Sequence, residues 1–445
     1  MNLEALNLHN IYAIPVGDYF GKQEDKCYLV YSPLANASFV SLPDEVRKLE
    51  SDLKDNHLSP VLRRLLEEKL PERHDIIGHD TFCTLHLLMN EKCNFHCKYC
   101  YSATGRSKAE LDMSQISVAL NYFLSSERQA VKNRTVMFMG GGEPVLSWPL
   151  VVKAALLAEE TAKKNDVNLQ LSLTTNGSVM TDDMLAFLKE HRFRVQISFE
   201  VLPDVQTTQR GVYDQVAENI NRICDHDIPN YIRSTITEMN VGRIADMVRH
   251  CQQHFPKVKK LSCQQIVSPD YFTSTAVVKD FFDKYFTSFN EASEMAKETG
   301  LELTSSSSHL IKYSRREKFC YNLLCLTPYG TFTTCPDVSS PNEKDYDDAV
   351  IARIENGTVI FDEEAYQRKS SGSIHTYAPC QTCWARWNCG SGCPDNRRVY
   401  SDEIFYSICD YYRRMLCQNL MEDLAAKYQQ KTNKDFYRDI ASKLQ

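Results

Sequence analysis

The sequence lacks the features that direct a chain into or across a membrane. It contains no run of about 18 apolar residues, so no membrane-spanning helix is expected. It also lacks a basic start followed by an apolar stretch and a small-residue cleavage site, which argues against a secretory signal peptide. We therefore expect a cytoplasmic protein without a membrane partner, whose cysteines stay reduced.

A basic stripe is absent as well. The chain has 51 Lys and Arg residues against 58 Asp and Glu residues, a net charge of −7, and the two signs are interspersed. Nucleic-acid binding relies on clustered basic residues that neutralise phosphates, so no nucleic-acid partner is expected. The 24% of charged and 43% of hydrophobic residues indicate an ordinary folded protein.

Cysteine is the residue whose placement is informative. The 17 cysteines in 445 residues are about 4% of the chain, below the roughly 8–10% of disulfide-stapled scaffolds. Three cysteines share one short loop, and eight more fall between Cys320 and Cys409. The other six are expected to be small buried apolar residues: Cys27, Cys83, Cys224, Cys251, Cys263 and Cys417. The two groups favour metal binding over disulfide formation.

Residues 1–78 are predicted to form a small winged-helix-like domain. Strands are expected over 11–20, 27–31 and 37–42, and helices over 44–53 and 61–70. Ser59 and Pro60 form the N-cap and first-turn pair that is typical of a helix start. The segment ASFVSLPDEVRKLE resembles the PqqD-like peptide-recognition elements of peptide-modifying enzymes, which implies peptide binding. An α/β extension packed on the main domain is the alternative.

Residues 79–272 alternate between strand-like and helix-like segments. This pattern predicts a parallel sheet, as an open doubly wound sheet or a partial barrel, with ligands beyond the C-terminal strand ends. Strands are expected over 81–89, 135–139, 168–175, 192–199, 230–237 and 258–266, and helices over 115–125, 149–162, 182–189, 213–225 and 244–254. A helical linker over 273–308, a cysteine-rich domain over 309–418 and a helical tail over 419–445 are expected to follow.

The sequence MNEKCNFHCKYCYS places Cys93, Cys97 and Cys100 directly after the first strand of this region. Thiolates are soft ligands that suit iron–sulfur clusters and zinc. Four cysteines normally hold a four-iron cluster, one for each iron, so three on one loop leave one iron open. Zinc with His96 as the fourth ligand is the alternative that the spacing leaves open.

CxxxCxxC at the head of a strand–helix repeat resembles the radical S-adenosylmethionine (SAM) superfamily. The resemblance implies an α/β fold with a partial (β/α)6 TIM-like barrel and a [4Fe-4S] cluster on the three cysteines. It also implies that SAM binds the open iron and is cleaved to a 5′-deoxyadenosyl radical. Stretches similar to the family's GGEP, TNG and RG motifs follow in order. The resemblance assigns SAM contacts to Tyr99, Gly141, Gly142, Glu143, Thr175, Asn176, Ser198, Arg210 and Arg233.

The second group of cysteines includes CQTCWARWNCGSGC, which resembles the SPASM domain, an extension of radical SAM enzymes with two auxiliary [4Fe-4S] clusters. The family pattern places Cys320, Cys325, Cys335 and Cys393 on the first auxiliary cluster, and Cys380, Cys383, Cys389 and Cys409 on the second. Cys417 is the alternative to Cys409, and some relatives leave the iron at the position of Cys325 open for substrate. Two zinc sites are the alternative by spacing alone.

The SPASM resemblance implies a peptide or protein substrate. One reaction is thioether or carbon–carbon crosslinking of a ribosomally made precursor peptide, with its leader bound by the N-terminal domain. The other is formylglycine formation in sulfatases by an anaerobic sulfatase-maturating enzyme.

Sulfatase maturases carry an Asp directly after the cysteine that matches Cys335, where this chain has Pro336, with Asp337 one position further. We therefore predict a peptide maturase, with Asp337 as a candidate acid–base residue and flavodoxin or ferredoxin as electron donor. A non-catalytic, zinc-stabilised peptide-binding protein is the hypothesis from another class.

Overall fold

The computed structural model describes residues 2–68, 78–128, 131–308, 310, 316–320 and 322–443. The end of the helix predicted over 61–70, the predicted domain start at 309 and the last two residues of the predicted tail lie outside these residues. None of the described helices is both long enough and apolar enough to cross a membrane.

An N-terminal module contains a three-stranded antiparallel sheet in the order β1–β2–β3. Its elements are α1 Glu4–Leu8, β1 Tyr12–Pro15, β2 Tyr28–Ser32, β3 Ala37–Ser41, α2 Pro43–Lys54 and α3 Pro60–Leu66. The predicted cap is confirmed, because Ser59 Oγ accepts a hydrogen bond from the Leu62 N–H at 3.3 Å. The prediction of a strand over 11–20 is wrong beyond Pro15, because Gly17–Phe20 forms a 3-10 turn.

The central region is a parallel sheet with helices between its strands, as the alternating pattern predicts. Its elements are β4 Thr84–Leu88, α4 Met113–Phe123, β5 Asn133–Met139, α5 Trp148–Lys164, β6 Asn168–Thr175, α6 Asp182–Glu190, β7 Arg194–Ser198, α7 Pro203–Gln209, α8 Asp214–Asp225, β8 Asn230–Ile236, α9 Ile244–His254, β9 Lys260–Gln265, α10 Thr275–Thr299 and β10 Glu302–Ser305. All six predicted strands are present. Strand β10 adds another parallel strand beside β9, within the stretch predicted as a linker.

The sheet continues into the cysteine-rich region. Strand β11 pairs in parallel with β4, and the following strands extend the sheet by antiparallel pairing, giving 11 strands in all among the described residues. The elements are β11 Leu323–Leu326, β12 Thr331–Thr333, α11 Tyr346–Ala349, β13 Val350–Glu355, β14 Thr358–Phe361, α12 Glu363–Ser370, α13 Ala378–Gln381, α14 Arg386–Cys389, α15 Pro394–Val399, α16 Asp402–Thr432 and α17 Phe436–Lys443. The predicted boundary between residues 418 and 419 falls inside helix α16, which begins at Asp402.

Side chains along the strands alternate between a face of the sheet that packs against the helices and a face that lines a cavity. On β4, Leu85 and Leu87 are fully buried in the apolar core that the sheet shares with its helices. The intervening residue His86 instead lines a cavity. Because side chains of a strand point alternately to opposite faces, this pattern places the cavity on the side of the sheet away from those helices.

The N-terminal module packs against the C-terminal region. Leu29 of β2 shares a buried apolar cluster with Leu420 of α16. The hydroxyl of Tyr31 donates a hydrogen bond to Asn388 Oδ1 at 2.8 Å. The module is thus part of the packed body of the protein, and its contacts lie beside the cysteine-rich loops.

Candidate functional site

The cysteine loop after β4 is fixed by backbone contacts with the GGGEP turn after β5. The Glu143 N–H donates to the Lys92 carbonyl at 2.6 Å, and the Gly142 N–H donates to the Asn90 carbonyl at 2.9 Å. Asn90 Nδ2 donates to the Glu143 carbonyl at 3.0 Å. A Cβ atom on Gly142 would overlap the Lys92 carbonyl, so this close approach requires glycine.

Cys93, Cys97 and Cys100 are all half-buried in this loop. Burial raises the pKa of Cys97, and the charge of Arg210 opposes this shift. Among the described residues, no three or more His, Cys, Asp or Glu side chains lie close enough together to bind one single metal ion. A four-iron cluster instead takes one cysteine for each iron.

Glu143 is a buried carboxylate that ties three loops together. It accepts hydrogen bonds from the Thr175 hydroxyl and the Asn176 N–H, each at 2.7 Å. Asn176 Nδ2 in turn donates to Asn94 Oδ1 at 2.9 Å, inside the cysteine loop. Burial raises the pKa of Glu143, and the two hydrogen bonds oppose this effect.

A second buried carboxylate, Glu200, organises the other side of the loop. It accepts hydrogen bonds from the Tyr99 hydroxyl and from the Ser234 hydroxyl, the latter at 2.7 Å. Arg210 Nη1 lies 3.6 Å from Glu200 Oε1. Sequence reasoning assigned no role to Glu200, although QISFE shows an acidic residue two positions after Ser198.

A cavity of about 650 Å³ brings the predicted site residues together. The residues predicted to bind the cluster or SAM all line it: Cys93, Cys97, Tyr99, Cys100, Gly141, Gly142, Glu143, Thr175, Asn176, Ser198, Arg210 and Arg233. They come from the C-terminal ends of successive parallel strands, where the strand order predicts a ligand. His86 and Tyr101 also line the cavity, and no sequence motif singled them out.

The donor set of this cavity fits SAM bound to an iron–sulfur cluster. Glu143 and Arg210 line the cavity, whereas Glu200 does not, and the charge of Arg210 acts on both carboxylates. Glu143 offers a carboxylate for the ammonium group of SAM. Arg210 Nε is buried without a hydrogen-bond acceptor among the described residues, which leaves a donor for a carboxylate.

The opposite wall of the cavity comes from the C-terminal region. Asp337, Asp395 and Arg398 line it, and Arg398 donates to Asp395 Oδ1 through Nη2 at 2.6 Å. Burial and the Asp395 charge raise the pKa of Asp337 to about 6, while Arg233 and Arg398 oppose the shift. The predicted acid–base residue therefore faces the same space as the predicted SAM site.

A second cavity, of about 300 Å³, lies in the cysteine-rich region. It is lined by the four cysteines predicted for the second auxiliary cluster: Cys380, Cys383, Cys389 and Cys409. Arg397 Nη2 donates to Cys380 Sγ at 3.3 Å. Cys417 does not line this cavity and packs in the apolar cluster shared with the N-terminal module.

Of the cysteines predicted for the first auxiliary cluster, three lie on or beside β11 and β12, and Cys393 directly precedes α15. Cys325 is buried on β11, and Cys320 is exposed. Burial, followed by the charge of Cys320, raises the pKa of Cys325, so the two sulfurs are near each other. Cys335 and Cys393 are half-buried, and the charge of Asp337 acts on both.

Comparison with known proteins identifies the central domain. Residues 87–251 match the family model of the Radical SAM superfamily, so the chain carries a radical SAM domain. The cyclopropyl synthase TigE of Paramaledivibacter caminithermalis is 26% identical over 129 residues, which cover 26% of this chain and 26% of TigE. The cysteine-type anaerobic sulfatase-maturating enzyme of Clostridium novyi is 22% identical over 168 residues, which cover 36% of this chain and 44% of that enzyme. The chain thus spans less than half the length of these two relatives.

Solved structures show the same fold. anSMEcpe with bound AdoMet superposes with a TM-score of 0.58 at 15% identity, covering 76% of this chain and 98% of that one. Streptococcus suis SuiB with bound S-adenosylmethionine gives 0.51 at 13% identity, covering 81% and 80%. SuiB bound to precursor peptide SuiA gives 0.50 at 11% identity, covering 88% and 98%. The sheet and its helices are therefore those of a radical SAM fold.

Proposed function

We propose that this protein is a cytoplasmic radical SAM enzyme that forms a thioether or carbon–carbon crosslink in a ribosomally made precursor peptide. One observation carries the proposal. The cysteine loop and the predicted SAM contacts line the same cavity as Asp337, which comes from the cysteine-rich C-terminal region. A substrate between these walls would face both the SAM site and a carboxylate.

The chain's own residues bind and orient the cofactor in this proposal. Cys93, Cys97 and Cys100 hold a [4Fe-4S] cluster, and Glu143 accepts from the SAM ammonium. Arg210, whose Nε lacks an acceptor among the described residues, donates to the SAM carboxylate. When bound and reduced by an electron from flavodoxin or ferredoxin, SAM supplies a 5′-deoxyadenosyl radical that abstracts hydrogen from a substrate carbon.

The remaining predicted SAM contacts surround the rest of the molecule. The Ser198 hydroxyl contacts the ribose, and the Tyr99 ring packs near the adenine. Arg233, exposed on β8, lines the cavity, its charge acts on Asp337, and it offers a second guanidinium for a carboxylate. Asp337 is the candidate acid–base residue by its position on the wall.

We further propose that the C-terminal region holds two auxiliary [4Fe-4S] clusters. The cavity lined by Cys380, Cys383, Cys389 and Cys409 supports a four-thiolate site there. The first cluster would use Cys320, Cys325 and Cys335, on or beside β11 and β12, together with Cys393 before α15. Removal of an electron from the crosslinked peptide radical needs an acceptor, and an auxiliary cluster provides one.

Relatives support a peptide substrate. SuiB has been solved with its bound precursor peptide, and TigE is named for a modification that forms a cyclopropyl group. Sulfatase maturation is the second candidate, which the Clostridium novyi relative and the likeness to anSMEcpe favour. Pro336 directly after Cys335, where sulfatase maturases carry an Asp, argues for the peptide maturase.

The N-terminal module is proposed to bind the leader of the precursor as an added strand. Strand β3 is an edge strand of its sheet, and such an edge offers unpaired backbone groups to an extended peptide. The other edge strand, β1, follows Asn10, whose Oδ1 accepts a hydrogen bond from Trp387 Nε1 at 2.8 Å. Val40 of β3 packs in the cluster that includes Leu420 of α16, so the leader would add along the backbone edge of β3 and not on that face.

The decisive test is anaerobic reconstitution followed by reaction with the precursor. About twelve irons per chain and 5′-deoxyadenosine after reduction are expected, and Cys97→Ala should lose the nucleoside product while keeping most of the iron. Co-expression with the peptide encoded beside this gene should remove the mass of two hydrogen atoms per crosslink. Zinc without SAM cleavage would contradict the enzyme, and formylglycine in a sulfatase peptide would favour the second candidate.

Leader binding can be tested without removing the module, whose loss would expose the apolar face of α16. Successive N–H groups of an edge strand point alternately toward β2 and away from it. Proline removes one N–H group, so Ser38→Pro and Phe39→Pro remove N–H groups on opposite sides of β3. The variant that loses the outward N–H should keep its melting temperature and lose affinity for the leader. If both variants bind a fluorescent leader peptide as the parent does, β3 is not the binding edge.

A further inference from the structure

Arg106 contacts the cysteine loop directly. Its Nη2 donates a hydrogen bond to Cys100 Sγ at 3.1 Å, and its Nη1 is buried without an acceptor among the described residues. Arg106 also lines the large cavity. Because an arginine side chain stays protonated in proteins, the guanidinium brings a positive charge to this sulfur.

Glu91 lies near this guanidinium, and burial raises the pKa of its carboxyl group to about 7. It is fully buried, and neither carboxylate oxygen meets hydrogen-bond geometry with a donor among the described residues. Its position accounts for Gly141, since a Cβ atom there would overlap the Glu91 carboxylate. The positive charge of Arg106 acts on Glu91 and offsets part of the cost of its burial.

Glu343 reaches the same place from the C-terminal region. Its Oε2 accepts from the Ser339 and Ser340 N–H groups at 2.7 and 3.0 Å, and its Oε1 is buried without a donor among the described residues. A Cβ atom on Gly105 would lie 2.9 Å from Oε1, so Glu343 abuts the residue directly before Arg106. Glu91 and Glu343 thus reach the neighbourhood of Arg106 from different parts of the chain.

A donor and a positive charge on a cysteine sulfur favour the more negative, reduced state of a cluster which that sulfur ligates. We propose that Arg106 is a positioning residue that raises the reduction potential of the cluster held by Cys93, Cys97 and Cys100. Its hydrogen bond to Cys100 Sγ and the burial of its Nη1 hold the guanidinium beside the cysteine loop. This inference rests on the proposed function only in that these cysteines bind a cluster.

The test is an EPR-monitored redox titration of the reconstituted full chain without peptide. The signal to follow is the one whose shape changes when SAM is added, because this separates the SAM cluster from the auxiliary clusters. Arg106→Gln should lower the midpoint potential by about 59 mV, which is a tenfold change in a one-electron equilibrium. Arg106→Lys, which keeps the charge and loses the planar fork, should give a smaller shift.

The matched control is Arg353→Gln, at an exposed arginine of β13, which should leave both potential and iron content unchanged. An unchanged midpoint in Arg106→Gln with full iron content would overturn the proposal. If Arg106→Gln loses this cluster, the midpoint potential is measured in Arg106→Lys instead. A midpoint potential equal to that of the parent protein would then overturn the proposal. Absence of any SAM-responsive signal in the parent protein would instead contradict the proposed function.

Discussion

Arg210 Nη1 donates a hydrogen bond to the phenolic oxygen of Tyr99 at 3.0 Å, and Tyr99 in turn donates to Glu200. Tyr99 stands directly before the last cysteine of the loop, whereas Arg210 follows α7, so the contact joins the cysteine loop to the far side of the sheet. The carboxylate and the guanidinium thus hold the aromatic ring in place before any ligand binds.

Loss of the hydrogen bonds that Tyr99 makes with Arg210 and Glu200 should weaken SAM binding. Tyr99→Phe keeps the ring and removes both hydrogen bonds, which involve charged partners and are worth about 1.5–3 kcal/mol each. We expect SAM affinity, measured by equilibrium binding to the reconstituted protein, to fall at least about tenfold. Tyr437→Phe, in the C-terminal helix α17, is the control, and equal affinities in the two variants would contradict a role for these hydrogen bonds.

Iron content should distinguish Cys409 from Cys417. Cys409 lines the cavity with three other cysteines, whereas Cys417 packs against apolar neighbours. Cys409→Ala should therefore lose about four of the irons expected per chain, and Cys417→Ala should keep them all. The opposite result would transfer the ligand role to Cys417. Iron and sulfide analysis after anaerobic reconstitution provides the measurement.

Position 142 should require glycine because of its packing against the cysteine loop, whether or not a ligand is bound. A Cβ atom there would overlap the Lys92 carbonyl and force apart the cysteine loop and the GGGEP turn. Gly142→Ala is expected to lose the SAM cluster and to lower stability by about 1–3 kcal/mol. At Gly242 a Cβ atom meets nothing within 4 Å, so Gly242→Ala is the matched control. Normal iron content and melting temperature in Gly142→Ala would contradict this explanation.

Glu50 should make the stability of the N-terminal module depend on pH. Burial alone would raise its pKa, but the N–H groups of Leu6 and Ala5, at 2.9 and 3.0 Å, and the Lys54 ammonium lower the pKa below its usual value. A carboxylate with a lowered folded pKa stabilises the fold fully above its unfolded pKa of about 4.3, and this contribution is lost as the pH falls.

Glu50→Gln should therefore destabilise the protein by about 1–3 kcal/mol at pH 7, and the difference from the parent should shrink at about pH 4. Thermal unfolding followed by circular dichroism at both pH values measures this. Glu4→Gln, at an exposed position of α1, is the control. A difference that grows as the pH falls would contradict the assigned sign.

Local signals in the sequence predicted the central fold well. Strand Asn168–Thr175 and helix Ile244–His254 coincide with their predicted bounds, because apolar periodicity and flanking turn residues act over a few positions. The addition of β10 and β11 to the sheet was not predicted, since both are four-residue strands whose partners are chosen by tertiary packing.

The residues of the candidate site likewise fall into those that the sequence predicted and those that it did not. Motifs with fixed spacing pointed to the cysteine loop and to Glu143, and the structure gathers them in one cavity. Glu200 and Arg106 carry no comparable spacing, and their proximity to the cysteines depends on how separate loops meet. Their importance became visible only when burial and hydrogen-bond partners were known.

The pairing of β4 with β11 also constrains how the protein folds. Thr84 and Leu323 are partners in this ladder although they stand 239 positions apart in the chain. During synthesis the edge of β4 must therefore wait, unpaired and apolar, until the cysteine-rich region has emerged, and such edges promote aggregation. Co-expression of chaperones that cover exposed strands during synthesis should accordingly raise the yield of soluble protein, measured as the soluble fraction of the expressed chain.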